Sequence, residues 1–241
     1  MTSTEGSLVS RRALFSLGGL LVVSALANAT PAAAEAKPRP RRRAADPEKP
    51  QFYVHQGPRA IALTIDDGPH PEWTPQVLGI LGRHGITATF CQVGEQMQAY
   101  PTLVRRVAAE GHLIANHTWT HPDLARVSPG VLLSEIERTS AEILRITGTA
   151  PGIFRAPYGV WTAETFAACR QLGLRPVDWS VDPRDWSRPG TAHIVREIEQ
   201  HTHGGSIILE HDGGGDRSET VAALRIAIPW LLDQGYYFVT P

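Results

Sequence analysis

The chain has 241 residues, 42% of them hydrophobic and 20% charged, which suits one sizeable globular domain with appendages. Its net charge of −1 hides an asymmetry, because residues 51–241 keep 15 of the 23 Lys/Arg but 20 of the 24 Asp/Glu. That acidic balance argues against nucleic acid as a partner, and two cysteines, Cys91 and Cys169, are too few for a disulfide framework. They leave open one bridge or two buried thiols.

Ser10-Arg11-Arg12 precedes an apolar run from Ala13 to Ala27, and small residues follow through Ala34. This charged, apolar, small-residue order is that of an export signal. The paired arginines resemble a twin-arginine signal, with Sec export as the alternative. Gly18, Gly19 and Ser24 interrupt the run, which is short for a membrane span. Residues 1–34 therefore predict an exported protein, extracellular or wall-associated; anchoring through an uncleaved signal is the lesser option. Residues 35–50 are dense in Pro and Arg without apolar periodicity, which predicts an extended, solvated tether. Arg39 and Arg41 to Arg43 offer a contact to anionic wall polymers or lipid headgroups, against the plainer reading of a spacer.

Residues 51–241 form the expected folded domain. Ile61 to Ile65 runs apolar into Asp66, Asp67 and a Gly68-Pro69 turn, so a buried strand delivers two carboxylates to a loop. Strand alternation predicts that these two acids diverge. Alone, Asp-Asp-Gly reads more readily as a turn than as a site. Helices are expected over 75–84 with Thr74 as cap, 101–110, 129–147 with Ser128 as cap, 162–172, 191–201 and 218–234. Between them, strands are expected over 87–93, 112–116, 152–154, 174–179, 206–209 and 236–239. Strand and helix alternate throughout, which implies parallel strands with helices outside, as a barrel or an open doubly wound sheet. No glycine-rich phosphate fingerprint follows the first strand.

Placement is the informative signal. Asp66, Asp67, His117, Arg155, Asp185 and His211 all fall at or just after expected strand ends, which share one face in a parallel barrel. His117 and His121 form H-x-x-x-H, weak evidence by itself. With one carboxylate, for which Asp67 is the candidate, they make an open site for a divalent ion. Zn²⁺ is the default, with Co²⁺ or Ni²⁺ as alternatives. His55, His84, His193, His201 and His203 carry no such signal. Glu210 and Asp212 flank His211, and alternation points them away from it.

The order T-I-D-D-G (64–68), H-T-W-T-H (117–121), R-A-P-Y (155–158), W-S-V-D-P-R-D-W (179–186) and L-E-H (209–211) resembles the polysaccharide deacetylases, carbohydrate esterase family 4 with its NodB-homology domain. The resemblance spans residues 59–241. Ile65 stands where Phe is common and Ala156 where Pro is common; neither touches a catalytic atom. The resemblance implies a distorted (β/α) barrel in a single domain. It implies that Asp67, His117 and His121 bind the metal, that Asp66 is the general base and that His211 is the general acid. Arg155 would hold Asp66 ionised, the Tyr158 N–H would serve the oxyanion, and Asp185 would orient His211. Pro157, Tyr158, Trp186 and Leu209 would wall the substrate groove.

The chemistry asks for the same parts. An amide carbonyl must be polarised and a water activated, the tasks of a metal and a base. An amine leaves only when protonated, the task of an acid. The resemblance and the export signal together imply a monomeric, metal-dependent hydrolase acting on N-acetylated polysaccharide, foremost peptidoglycan. Chitin oligosaccharide deacetylation and O-acetyl esterase action on xylan are the alternatives. A silent glycan-binding domain or a 2-His-1-carboxylate oxygenase fits the acids and the α/β pattern less well, and no G-x-S-x-G occurs to support a serine hydrolase.

Overall fold

A computed structural model describes residues 49–241. The expected export signal and tether lie outside these residues, apart from Lys49 and Pro50. The backbone passes six times from strand to helix and ends on a seventh strand. The strands are β1 (Ala60–Asp66), β2 (Thr89–Gln92), β3 (Leu113–Asn116), β4 (Ile153–Phe154), β5 (Arg175–Pro176), β6 (Ile207–His211) and β7 (Tyr237–Phe238). The helices are α1 (Trp73–His84), α2 (Gly94–Ala99), α3 (Pro101–Ala109), α4 (Pro129–Thr147), α5 (Ala163–Leu172), α6 (Thr191–His201) and α7 (Ser218–Asp233).

Every pairing between these strands is parallel, in the order β5-β4-β3-β2-β1-β6, with β7 beside the start of β1. The sheet is a curled half-barrel, which realises the barrel reading rather than the flat doubly wound one. Between β5 and β6 no ladder closes it. The expected strand over 174–179 holds ladder geometry only at Arg175–Pro176, because Pro176 has no N–H to give. Isolated bridges from Val177 to Gln51 and from Val181 to Ile208 cross the gap instead.

Alternation along β1 explains the layering. Ile61, Leu63 and Ile65 pack outward into the main core beneath the helices, with Val77, Leu81, Ile208 and Leu224. Ala60 and Ala62 face inward with Cys91, Ala115 and Ile207. Small inner side chains leave space inside the curl for a longer one, and Arg155 occupies it at 0% exposure. Both sides of β1 are buried, as a parallel strand requires.

Ser128 caps α4 by accepting the Val131 N–H, and Thr162 caps α5 by accepting that of Thr165. Thr74 does not cap α1, which begins at Trp73. Its hydroxyl accepts from the His70 N–H at 2.7 Å and donates to Asp212 at 2.5 Å, tying the loop after β1 to the end of β6. Helix α2 was not expected, since six residues with few apolar positions carry little periodicity. Cys91 and Cys169 are both free and buried, so the bridge is the reading that fails.

Candidate active site

The strand ends meet as their placement predicts. Parallel register sets Asp66 opposite Cys91 on one side and His211 on the other, so the base and acid candidates are neighbours across one strand pair. A cleft of about 540 Å³ opens above them, lined by Asp66, Asp67, His117, His121 and His211 among others.

Asp67 departs from the strand pattern. Its φ of 73° takes the chain out of the extended region, so its carboxylate turns back into the cleft that Asp66 also faces. The expected divergence of the two acids is therefore replaced by convergence with different partners. Asp67 Oδ1 lies 3.4 Å from His117 Nε2 and 3.3 Å from His121 Nε2. One ligand atom from each residue lies within 4.8 Å of the others, the spacing of donors arranged around one ion. His117 Nδ1–H donates to the Arg155 carbonyl at 2.8 Å, which leaves Nε2 as the bare nitrogen facing the cluster. Asp67 Oδ1 is buried without a hydrogen-bond donor, an orphan that a cation would satisfy. Burial, with His117 alongside, outweighs the nearby acids and pushes the His121 imidazole down to about 4, so it is neutral and ready to ligate at neutral pH. Burial opposes ionisation of Asp67, but the three surrounding imidazoles win and hold it well below the usual carboxylate range. The residues thus fit a divalent ion.

The loop carrying these ligands is held from two directions. Glu135 on α4 accepts the N–H groups of Trp119 at 2.8 Å and Thr120 at 2.7 Å, and the Thr120 hydroxyl at 3.0 Å. From α2, the Gly94 and Glu95 N–H groups donate to the Thr118 and Trp119 carbonyls. A Cβ on Gly94 would stand 2.3 Å from the Trp119 ring, so only glycine permits this contact.

Arg155 is the internal strut. Its Nη1 donates to both oxygens of Asp66, at 3.2 and 3.1 Å. Its Nε donates to the Val177 carbonyl, and its Nη2 to the Asp178 carbonyl and the Thr64 hydroxyl. The guanidinium thus ties β1 to the irregular segment that closes the curl. Behind the acid candidate, His211 Nδ1 lies 2.7 Å from Asp185 Oδ1, and Asp185 Oδ2 accepts the His211 N–H and the Thr220 hydroxyl. Asp185, rather than Asp182, is the partner of His211. Burial would lower His211, but Asp185 prevails and raises it to about 9, so the imidazole is protonated at neutral pH.

Tyr158 sits in a 3₁₀ turn at a φ of 59°. The bonds of that turn come from the Gly159 and Val160 N–H groups, leaving that of Tyr158 outside them. Positive φ at Asp67, Thr118, His121 and Tyr158 concentrates backbone strain on the cleft rim. Trp186 and Leu209 line the cleft as expected, whereas Pro157 is buried inside its turn and Ala156 and Tyr158 form that stretch of wall. Trp179, Asp182 and Arg217 also line it, which the sequence does not indicate. Asp182 and Trp179 fell inside a quoted motif, but nothing in a lone sequence says which motif residues face inward. Arg217 orders the loop Gly213 to Gly215, with Nε donating to the Gly213 carbonyl at 2.7 Å.

Fold and site together define a class: an α/β enzyme with a metal-competent centre at the C-terminal ends of parallel strands. Comparison with known proteins narrows it. The family profile described as polysaccharide deacetylase matches residues 54–177, and the chain belongs to that family, whose members depend on a metal. It is 44% identical over 192 residues to a chitooligosaccharide deacetylase of Bradyrhizobium sp. (strain ANU 289), covering 75% of this chain and 88% of the relative. It is 41% identical over 191 residues to a peptidoglycan-N-acetylglucosamine deacetylase of Bacillus cereus, covering 78% and 89%. A crystal structure of a peptidoglycan N-acetylglucosamine deacetylase bound to a naphthalenyl N-oxidanyl-benzamide superposes with a TM-score of 0.75 at 37% identity. It covers 78% of this chain and 89% of that one.

Proposed function

We propose that the protein is an exported hydrolase that removes acetyl groups from N-acetylglucosamine-type sugars, with cell-wall peptidoglycan as the foremost substrate. The carrying observation is the register of β1 and β6, which puts an arginine-paired aspartate and a protonated histidine on one cleft beside three converging metal donors. The similarity to peptidoglycan and chitooligosaccharide deacetylases supports the substrate class. The export reading rests on residues 1–34.

Asp67, His117 and His121 would hold the ion, and a His-His-carboxylate set suits Zn²⁺, with Co²⁺ or Ni²⁺ accepted by the same donors. When bound, it supplies Lewis acidity to the acetamide carbonyl and to a water. Asp66 takes the proton of the attacking water, and Arg155 fixes the direction of its carboxylate. The Tyr158 N–H donates to the carbonyl oxygen as charge builds there, an interaction worth about 3–4 kcal/mol per donor in comparable sites. His211 delivers its proton to the departing nitrogen, and Asp185 keeps the ring turned so that Nε2 faces the cleft. The exposed rings of Tyr158 and Trp186 offer flat faces for sugar on either side.

Acetate release from wall sacculi, chitin oligomers and acetylated xylan, with the metal removed and restored, tests this reading. Sacculi are expected to respond best. Replacing His211 with Ala is expected to slow amide cleavage by about 10²–10⁴-fold and ester cleavage less. Xylan release exceeding that from both N-acetylated substrates would replace it with the O-acetyl esterase reading.

A further inference from the structure

Glu210 is a buried acid that the mechanism above leaves without a task. It follows Leu209 on β6 and faces outward beside Ile65, on the helix side of the sheet, while His211 faces the cleft. Its exposure is 0%, and no N–H or O–H of the described residues donates to either of its carboxyl oxygens. A carboxylate sealed from water with no donor is one of the costliest groups a fold can hold. A carboxylic acid in the same place needs only one acceptor.

That acceptor is at hand. A carboxylate offers about four lone-pair positions. On Asp185, three are filled by the His211 N–H, the His211 ring and the Thr220 hydroxyl. Asp185 Oδ2, held between the His211 N–H and the Thr220 hydroxyl of α7, lies toward the side of β6 that Glu210 faces, so the fourth position is open to the Glu210 carboxyl. Two carboxyl groups bond to each other only through a proton, and Asp185 is committed as the anion of the His211 pair.

We propose that Glu210 is a positioning residue whose carboxyl hydroxyl donates to Asp185 and so limits how strongly Asp185 retains the proton on His211. Burial, then the charge of Asp185, with a further push from Asp182 and an opposing pull from Arg217, drives Glu210 well above the usual carboxylate range. The same hydrogen bond helps hold Asp185 low. On its other side His211 faces Asp66, Asp67 and His121 from the opposite rim, and Asp182 from the loop before Asp185. Glu210 joins the Thr220 hydroxyl as a neutral donor to Asp185. Its use is chemical: an acid held too tightly by its partner gives up its proton poorly to a leaving amine.

The proposal rests on His211 as the acid of the proposed reaction, but its test needs no substrate. The ring titration of His211 is followed by NMR in the wild type, Glu210→Gln and Glu210→Met, each in metal-free and metal-loaded protein. The amide of Gln donates where the hydroxyl did, so wild type and Glu210→Gln are expected to titrate together. Glu210→Met removes the donor at similar volume, returns the charge of Asp185 to His211, and is expected to titrate higher by about half to one pH unit. The basic limb of kcat/KM should move by the same amount. Titration of Glu210→Met with the wild type overturns the proposal, as does a Glu210→Gln shift equal to that of Glu210→Met, which would mark a packing role. If Glu210→Met does not fold, the wild type answers alone. The side-chain carboxyl carbon of Glu210 should keep its protonated resonance at neutral pH, where an ordinary Glu has ionised, and an ionised resonance there overturns the proposal. Because the titrations are independent of acetate release, a wrong substrate assignment and a wrong role for Glu210 give different results.

Discussion

Single residues at this site act through what they leave unpaired when removed. Arg155 makes five hydrogen bonds at 0% exposure and carries the only guanidinium bonded to Asp66 among the described residues. Replacing it with Met strands a buried carboxylate, and the expected loss is about 3–5 kcal/mol of stability by urea denaturation. Activity should fall in the fraction that stays folded, because Asp66 loses its orientation. His211 offers a test through pH. Its folded value is raised from the ordinary 6.5 to about 9, so the stability it adds is complete below about pH 6.5 and lost as pH rises through about 9. In metal-free protein, Tm should therefore drop over that interval by on the order of 5 °C more in the wild type than in Asp185→Asn. Equal slopes would deny the pair its role in stability.

At the scale of elements, the candidate metal ligands His117 and His121 depend on a loop that has no regular structure of its own. Residues 117–121 are held by α4 through Glu135 and by the first N–H groups of α2. Glu135→Ala leaves two N–H groups without their acceptor and frees His121 to wander. Metal affinity is expected to fall about 10–100-fold, read by competition against a chromophoric chelator, while melting of the metal-free protein changes little. The tie between α4 and this loop is invisible in one sequence, since Glu135 looks like any charge on an amphipathic helix. Ser128, by contrast, was legible as a cap because a cap acts only on its own helix. Thr74 looked equally like a cap, yet its hydroxyl is committed 138 residues away to Asp212.

For the whole molecule, a half-barrel open between β5 and β6 is closed by irregular chain, by Arg155 from inside and by the site itself. An ion joining β1 to the loop after β3 adds a cross-link that the unfolded chain lacks. Chelation is expected to abolish acetate release and lower Tm, and added Zn²⁺ to restore both. At metal one-hundred-fold above its Kd the stabilisation should be about 2.7 kcal/mol. Activity that survives exhaustive chelation would remove the metal from the account.

The sequence by itself determined the alternation of strands and helices and the strand ends that bear chemistry, and it offered Asp67, His117 and His121 as candidate metal donors. Those are local facts of period, turn chemistry and residue type. Only the tertiary structure decided that Asp67 turns back into the cleft, that Asp185 rather than Asp182 backs His211, that Pro157 is buried, and that Glu210 reaches Asp185 from behind the strand. Each depends on a backbone leaving regular geometry or on two surfaces meeting across the fold. Alternation along a strand says which way a side chain starts, and not what packs over it.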